Sequence, residues 1–208
     1  MQGAPGERIG IFGGTFDPIH VGHLVAATNA RYSLALDRVL LMVANLPWQK
    51  AGSRLVTPAE DRYAVVEAAV DGLDGLEASR LELERGGESY TADTVLELAS
   101  RYPQAELYLI IGADVASELD SWERVDVIRA RAHLVVVNRP GSPALPPLPG
   151  WQVTTVEIPA LDVSSTDLRR RAADGRPLDF LIPEGAVQRM RQRGLYAETV
   201  MADRPDLA

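Results

Sequence analysis

The amino-acid sequence predicts an α/β fold: a doubly wound parallel sheet with helices on both faces and a small C-terminal helical part. Three observations predict it. The runs "RVLLMV" (38–43), "ELYLII" (106–111) and "HLVVVN" (133–138) are apolar at consecutive positions, as in strands covered on both faces, rather than alternating as half-solvated strands do. Helical patterns separate these runs along most of the chain, the order expected of a parallel sheet with crossover helices. There is also no internal repeat that would suggest a stacked array.

Each element follows in order. Arg8–Phe12 is a short strand that ends at Gly13-Gly14, and Val21–Leu34 is a helix. Arg38–Val43 is too short and too apolar for a surface helix, so it is a strand, followed by the polar loop "ANLPWQKAGSRLV". The stretch "TPAEDRYAVVEAAV" has a helix start: Thr57 as cap, Pro58 at the first helical position and Glu60 closing a capping box. Leu76–Glu84 contains a strand, Thr91–Arg101 a helix, Glu106–Ile111 a strand and Val115–Arg129 a helix. His133–Asn138 is a strand. The proline-rich "RPGSPALPPLPG" is loop. Gln152–Ile158 is the last strand, and two helices close the chain, Ser165–Asp174 ahead of Gly175 and Pro183–Arg193 ahead of Gly194.

The 208 residues suffice for one domain with its own core, and 46% hydrophobic with 24% charged residues is ordinary for a globular protein. There is no cysteine, which excludes disulfides and thiolate metal sites. The N-terminal stretch lacks a signal-peptide pattern, and no window holds the roughly 18 apolar residues of a membrane span. A cytoplasmic protein without membrane association is expected. The net charge of −8 speaks against nucleic acid as a partner. It leaves room for a small anionic ligand at a local basic cluster, because surface charges are screened beyond about 8 Å.

The segment "IGIFGGTFDPIHVGH" (9–23) holds two of the chain's three histidines. Gly13 and Gly14 allow a tight turn and a close backbone approach to a ligand, and a helix starting near His20 would aim free N–H groups at the same place. Neither the dinucleotide fingerprint nor the P-loop pattern is present. His20 and His23, three apart, share one face of a first helical turn. They could donate to an oxyanion, form a metal pair or be capped surface histidines. His133, at a distant strand, is structural. In "VSSTDLRRR" (163–171), Ser165 and Thr166 open a helix whose hydroxyls and amides can hold phosphate, and Arg169 lies one turn on with a bidentate fork. The same pattern also fits a cap followed by three solvated arginines. Arg170 and Arg171 are surface residues.

"GGTFDPIHVGH" resembles the H-x-G-H segment of the nucleotidyltransferase superfamily, and "VSSTDLRRR" its partner S-S-T-x-x-R motif, in the same order. Within that superfamily, residues 8 to 196 resemble the bacterial nicotinate mononucleotide adenylyltransferases. Supporting marks are "PWQK" (47–50), "SYTADT" (89–94), "IGAD" (111–114), "SW" (121–122) and "NRPG" (138–141). The resemblance implies a Rossmann-like fold and a single nucleotidyltransferase domain over residues 1–198. The acidic stretch after Glu198, with "ADRPDLA", is expected to be a disordered tail over 199–208.

It further implies transfer of AMP from ATP to nicotinate mononucleotide, with Mg²⁺ on the ATP phosphates and no protein metal site. The catalytic residues would be His20, His23, Lys50 and Arg169. ATP phosphates would lie against Gly13, Gly14, Thr15, Phe16, Ser165 and Thr166. Gly112 and Asp114 would serve the ribose, Trp122 would stack on the pyridine ring, and Thr91 with the backbone near Glu123 would hold its carboxylate. Two departures stand out. Relatives carry a sequence near "PPHK" where this chain has "PWQK", so a further histidine is missing, and Glu123 replaces a usual aromatic. The alternatives are a nicotinamide mononucleotide or phosphopantetheine adenylyltransferase, or a nucleotide-sensing module without turnover. A monomer and a homo-oligomer are equally compatible with the sequence.

Overall fold

A computed structural model describes residues 6–47, 56–141 and 147–197. Lys50 and the expected tail, 199–208, lie outside the described residues. Six strands form one all-parallel sheet in the order β3-β2-β1-β4-β5-β6. They are β1 (Arg8–Gly14), β2 (Arg38–Val43), β3 (Leu76–Ser79), β4 (Glu106–Gly112), β5 (Ala132–Asn138) and β6 (Val153–Glu157). The helices are α1 (Val21–Ser33), α2 (Ala59–Val70), α3 (Leu81–Arg85), α4 (Thr91–Arg101), α5 (Ala113–Ala116), α6 (Val125–Arg131), α7 (Ser165–Ala173) and α8 (Glu184–Gln192). No described helix is long and apolar enough to cross a membrane.

The apolar runs work because successive strand residues feed opposite faces. Val39, Leu41 and Val43 of β2 join Tyr108 and Ile110 of β4 in one core cluster, which Ala27, Val65, Leu168 and Met190 cover from α1, α2, α7 and α8. Leu40 and Met42 join Leu107, Leu109 and Ile111 in the other, covered by Val95 of α4, Ala116 of α5 and Ile128 of α6. The C-terminal helices α7 and α8 thus belong to a main core cluster. Gly10 is needed where a Cβ would come within 2.9–3.0 Å of Val39, Leu36 and Ile110.

The chain leaves β1 for β2 on one side and β4 on the other, with Ile11 paired to both Leu40 and Leu109. The connections diverge there, and the C-terminal ends of β1 and β4 border a crevice, the usual ligand position in an open α/β sheet.

Four local expectations are corrected. Gly13 and Gly14 do not turn but continue β1, Gly14 pairing with Val43. The bend comes at Phe16, in the left-handed region at φ 47, and Gly14 lacks a Cβ where the Phe16 ring sits 2.8 Å from that position. At α2, Pro58 itself is the N-cap, which moves Thr57 outside the helix. Glu60, now at the second helical position, pairs with Arg80 at 2.9 Å instead of closing a capping box. The strand within Leu76–Glu84 stops at Ser79, and α3 follows because Leu81 turns into the core. The single helix over Val115–Arg129 is instead α5, a 3₁₀ turn at Leu119–Ser121, and α6, which starts after Arg124 at φ 52.

Candidate active site

A cavity of about 950 Å³ opens at the crevice. From the predicted set it is lined by Gly13, Gly14, Thr15, His20, His23, Thr91, Gly112, Asp114, Trp122 and Ser165. Phe16, Thr166 and Arg169 are not on its wall.

His20 is the N-cap of α1 and His23 lies in its first turn. Their rings stack with centroids 3.7 Å apart. The His20 backbone N–H donates to His23 Nδ1 at 3.2 Å. A ring nitrogen accepting that bond carries no proton, so the neutral His23 ring is protonated on Nε2 and is a donor there. Phe16 meets the His23 ring edge-on at 5.1 Å, so Phe16 supports a predicted site residue rather than touching the cavity. His20 is 5% exposed, and burial, with the Arg139 charge adding to it, pushes its imidazole down to about 4. It is uncharged near neutrality, and its buried Nδ1 has no hydrogen-bond partner among the described residues. Gly22 between the two histidines leaves room for Val163 and for the His20 ring, each 3.0–3.1 Å from where its Cβ would stand.

The expectation of free amides at the start of α1 is corrected. Val21 N–H goes to Leu181 O, and the N–H groups of His23 and Leu24 go to His20 O. The amides of Val21, His23 and Leu24 are thus spent within the protein, and the two imidazoles lie on the cavity wall.

At the second motif the N-cap is Ser164, whose hydroxyl accepts from Asp167 N–H. Ser165 donates to Pro18 O at 2.8 Å, which joins α7 to the bend after β1. Arg169 donates to Asp17 O at 2.7 Å and to the Thr166 hydroxyl at 3.2 Å. It therefore braces the bend from behind the cavity wall. The Asp17 carboxylate is buried at 1% exposure and accepts from Tyr196 Oη at 2.7 Å. Burial, together with that carboxylate, raises the Tyr196 phenol above its ordinary value. As expected for surface residues, Arg170 is exposed and Arg171 is spent on Asp167 one turn earlier.

At the other end of the cavity, Thr91 is the first residue of α4. Asp114 curls over Gly112, where a Cβ would lie 2.3 Å from its Oδ1, so the glycine makes this carboxylate position possible. Trp122 is not on a helix but caps the 3₁₀ turn in extended backbone, and its buried indole N–H has no partner among the described residues. Glu123 lines the cavity beside it.

Sequence reasoning missed four residues. Ser164 and Arg139 line the cavity, and Arg139, following the end of β5, could have been found from its place at a strand's C-terminal edge. Glu82, also on the wall, accepts from Thr94 Oγ1 at 2.5 Å, and burial raises its carboxyl above the usual range. Arg62, 1% exposed, lies beneath the bend and donates to Thr15 O. Among the described residues no group of three or more His, Asp or Glu could hold a metal ion.

With this geometry in place, the class is clear: the chain belongs to the cytidylyltransferase-like family, whose model matches residues 11–171. Its curated relatives define the kind more narrowly. One from Saccharopolyspora erythraea is 46% identical over 191 residues, covering 91% of this chain and 90% of the relative. Another from Corynebacterium glutamicum is 42% identical over 193 residues, covering 91% and 88%. Both are named probable nicotinate-nucleotide adenylyltransferase. The fold matches a Plasmodium falciparum nicotinic acid mononucleotide adenylyltransferase solved with NaAD, at TM-score 0.74 and 15% identity over 91% of this chain and 97% of that one. It also matches a putative nicotinate-nucleotide adenylyltransferase from Vibrio parahaemolyticus, at TM-score 0.64 and 22% identity over 93% and 97%.

Proposed function

We propose that this protein transfers the adenylyl group of ATP to nicotinate mononucleotide, giving nicotinate adenine dinucleotide and pyrophosphate, a step in NAD biosynthesis. The observation that carries the reading is the stacked His20–His23 pair, 3.7 Å apart, on the wall of a cavity at the sheet's switch point, in a chain whose relatives bear that name.

The chemistry is one in-line displacement. A phosphate oxygen of the mononucleotide forms a bond to the α-phosphorus of ATP, the bond to the bridging oxygen breaks, and pyrophosphate leaves with that electron pair. The attacking phosphate is already an anion, so no general base is needed. Catalysis is alignment plus stabilisation of charge on the phosphoryl oxygens. His23 Nε2–H and the His20 ring supply donors to the α-phosphate. Main-chain amides around Gly13, Gly14 and Thr15, with Ser164 and Ser165, border the phosphates. Lys50 and Arg139 offset the pyrophosphate charge, and Arg169 acts through the bend it braces. Mg²⁺ would be held by ATP phosphate oxygens and water, the usual mode for this ion, and would supply charge stabilisation on the phosphates. Trp122 stacks on the pyridine ring, Thr91 and the backbone near Glu123 meet its carboxylate, and Asp114 with Gly112 meets a ribose hydroxyl. Residues 1–198 act as one domain in the cytoplasm.

The test is pyrophosphate release from ATP with nicotinate mononucleotide, nicotinamide mononucleotide and phosphopantetheine as acceptors. Release fastest with the first is expected. Release only with another acceptor reassigns the substrate, and ATP binding without release from any acceptor makes the protein a nucleotide-binding module.

A further inference from the structure

Arg62 heads the fully buried side chains by size, yet it does not line the cavity. A buried guanidinium is costly unless its donors are met, and these are met in a telling way. Nε donates to Thr57 O at 2.7 Å, one Nη to Thr15 O at 2.7 Å and the other to Asn45 O at 3.1 Å. The three carbonyls come from three separate pieces of backbone: the residue after β1, the stretch after β2, and the approach to α2. All three border the C-terminal edge of the sheet, where the cavity opens.

We propose that Arg62 is a positioning residue for the polyphosphate half of the site, holding three main-chain carbonyls so that the phosphate-facing backbone keeps its shape and polarity. The inference rests on the adenylyl-transfer reading above. Drawing the Thr15 carbonyl down to Arg62, which is off the wall, turns its negative end away from the cavity that Thr15 lines. An anion at this edge is spared the Thr15 carbonyl oxygen. The fork also ties the end of β1 to the backbone on both sides of the chain that joins β2 to α2. Lysine keeps the charge but is a point donor without the planar fork, so it cannot span three carbonyls.

The test compares wild type with Arg62→Lys and Arg62→Ala in steady-state kinetics, far-UV circular dichroism and thermal melts. The KM for ATP is expected to rise by about tenfold or more, the loss of a bidentate charge-assisted contact, while the KM for the mononucleotide stays within about twofold. In Arg62→Ala, added guanidinium ion should restore the ATP constant, and methylammonium at equal ionic strength should not. Rescue by both ions alike, or ATP and mononucleotide constants rising together in step with lowered melting temperature, would overturn the proposal as mere structural support. If wild type releases no pyrophosphate, the function reading fails by itself. The positioning role is then judged by calorimetric binding of a non-hydrolysable ATP analogue, which should weaken in the same variants, and unchanged binding overturns it. If neither variant folds, the Arg62 Nε–H resonance of wild type decides. It should shift when the ATP analogue binds and not when the mononucleotide does; no shift on adding the analogue counts against the role.

Discussion

Acid should destabilise this protein through His20 in particular. The folded imidazole sits at about 4 against an ordinary 6.5, first because it is buried and second because Arg139 faces it. Between those two values the unfolded chain binds more protons than the folded one, so stability rises with pH. The contribution is present in full above 6.5 and is lost as pH falls through 4. A gap of about 2.5 pH units corresponds to about 3.4 kcal/mol at the acid limit, of which about 2 kcal/mol is lost between pH 7 and pH 5. Urea unfolding at those two pH values, on wild type and on His20→Asn, isolates the quantity. The other titrating groups are the same in both proteins. The variant should lose about 2 kcal/mol less than wild type on acidification. With only three histidines in the chain, the imidazole resonances can be followed one by one. Equal acid losses in the two proteins, or a His20 midpoint near 6.5, would refute the reasoning and leave the ring solvated.

Three further outcomes are expected. His23→Ala should lower kcat by roughly 10²–10³, the effect of losing one oxyanion donor, with ATP binding changed much less; near-wild-type turnover would remove His23 from the chemistry. Arg169→Lys keeps a cation but cannot hold both Asp17 O and Thr166 in the same fork, so kcat/KM for ATP should drop at least about tenfold, or about 1.4 kcal/mol; equal kinetics would make the brace dispensable. Nicotinate mononucleotide should be preferred over the nicotinamide form by tenfold to a hundredfold, because an NH₂ group facing donors costs about 1–3 kcal/mol for each unpaired group; side-by-side kcat/KM values with no preference, or the reverse one, would defeat that specificity.

The fold was legible because its strands are unbroken apolar runs. β2, β4 and β5 each send successive residues to two covered faces, a pattern that survives in a one-dimensional reading. What was not legible depended on position by a single residue or on a break without a breaker. Pro58 caps α2 instead of entering it, and that shift of one position removes the capping box. Between Ser117 and Arg124 no glycine or proline announces that the helix ends. The chain leaves helical geometry there through a 3₁₀ turn, extended Trp122 and left-handed Arg124. The period-two spacing of "LELER" suits a strand, and only the tertiary position of Leu81 and Glu82 makes it a helix.

The candidate site divides along the same line. His20 and His23 were accessible from motif spacing, since they need only one helical turn to converge, whereas Glu82 and Arg139 on the same wall belong to no such spacing. Residues that act through others were not accessible, because their partners are backbone atoms far away in sequence. Arg169 belongs to a motif, yet its contact is Asp17 O, 152 positions earlier, a pairing that motif spacing does not show. Arg62 left one trace. Positions 62, 65, 66 and 69 form the buried stripe of α2, and an arginine on an otherwise apolar stripe has to find polar partners inside the protein. The sequence could show that such partners exist, but not that Thr15, Asn45 and Thr57 supply them. Those three residues converge only once β1 and β2 lie side by side and α2 crosses back over them. A charged residue at a core position of a helix is therefore the sign to seek when a site's supporting backbone is to be inferred before its fold is known.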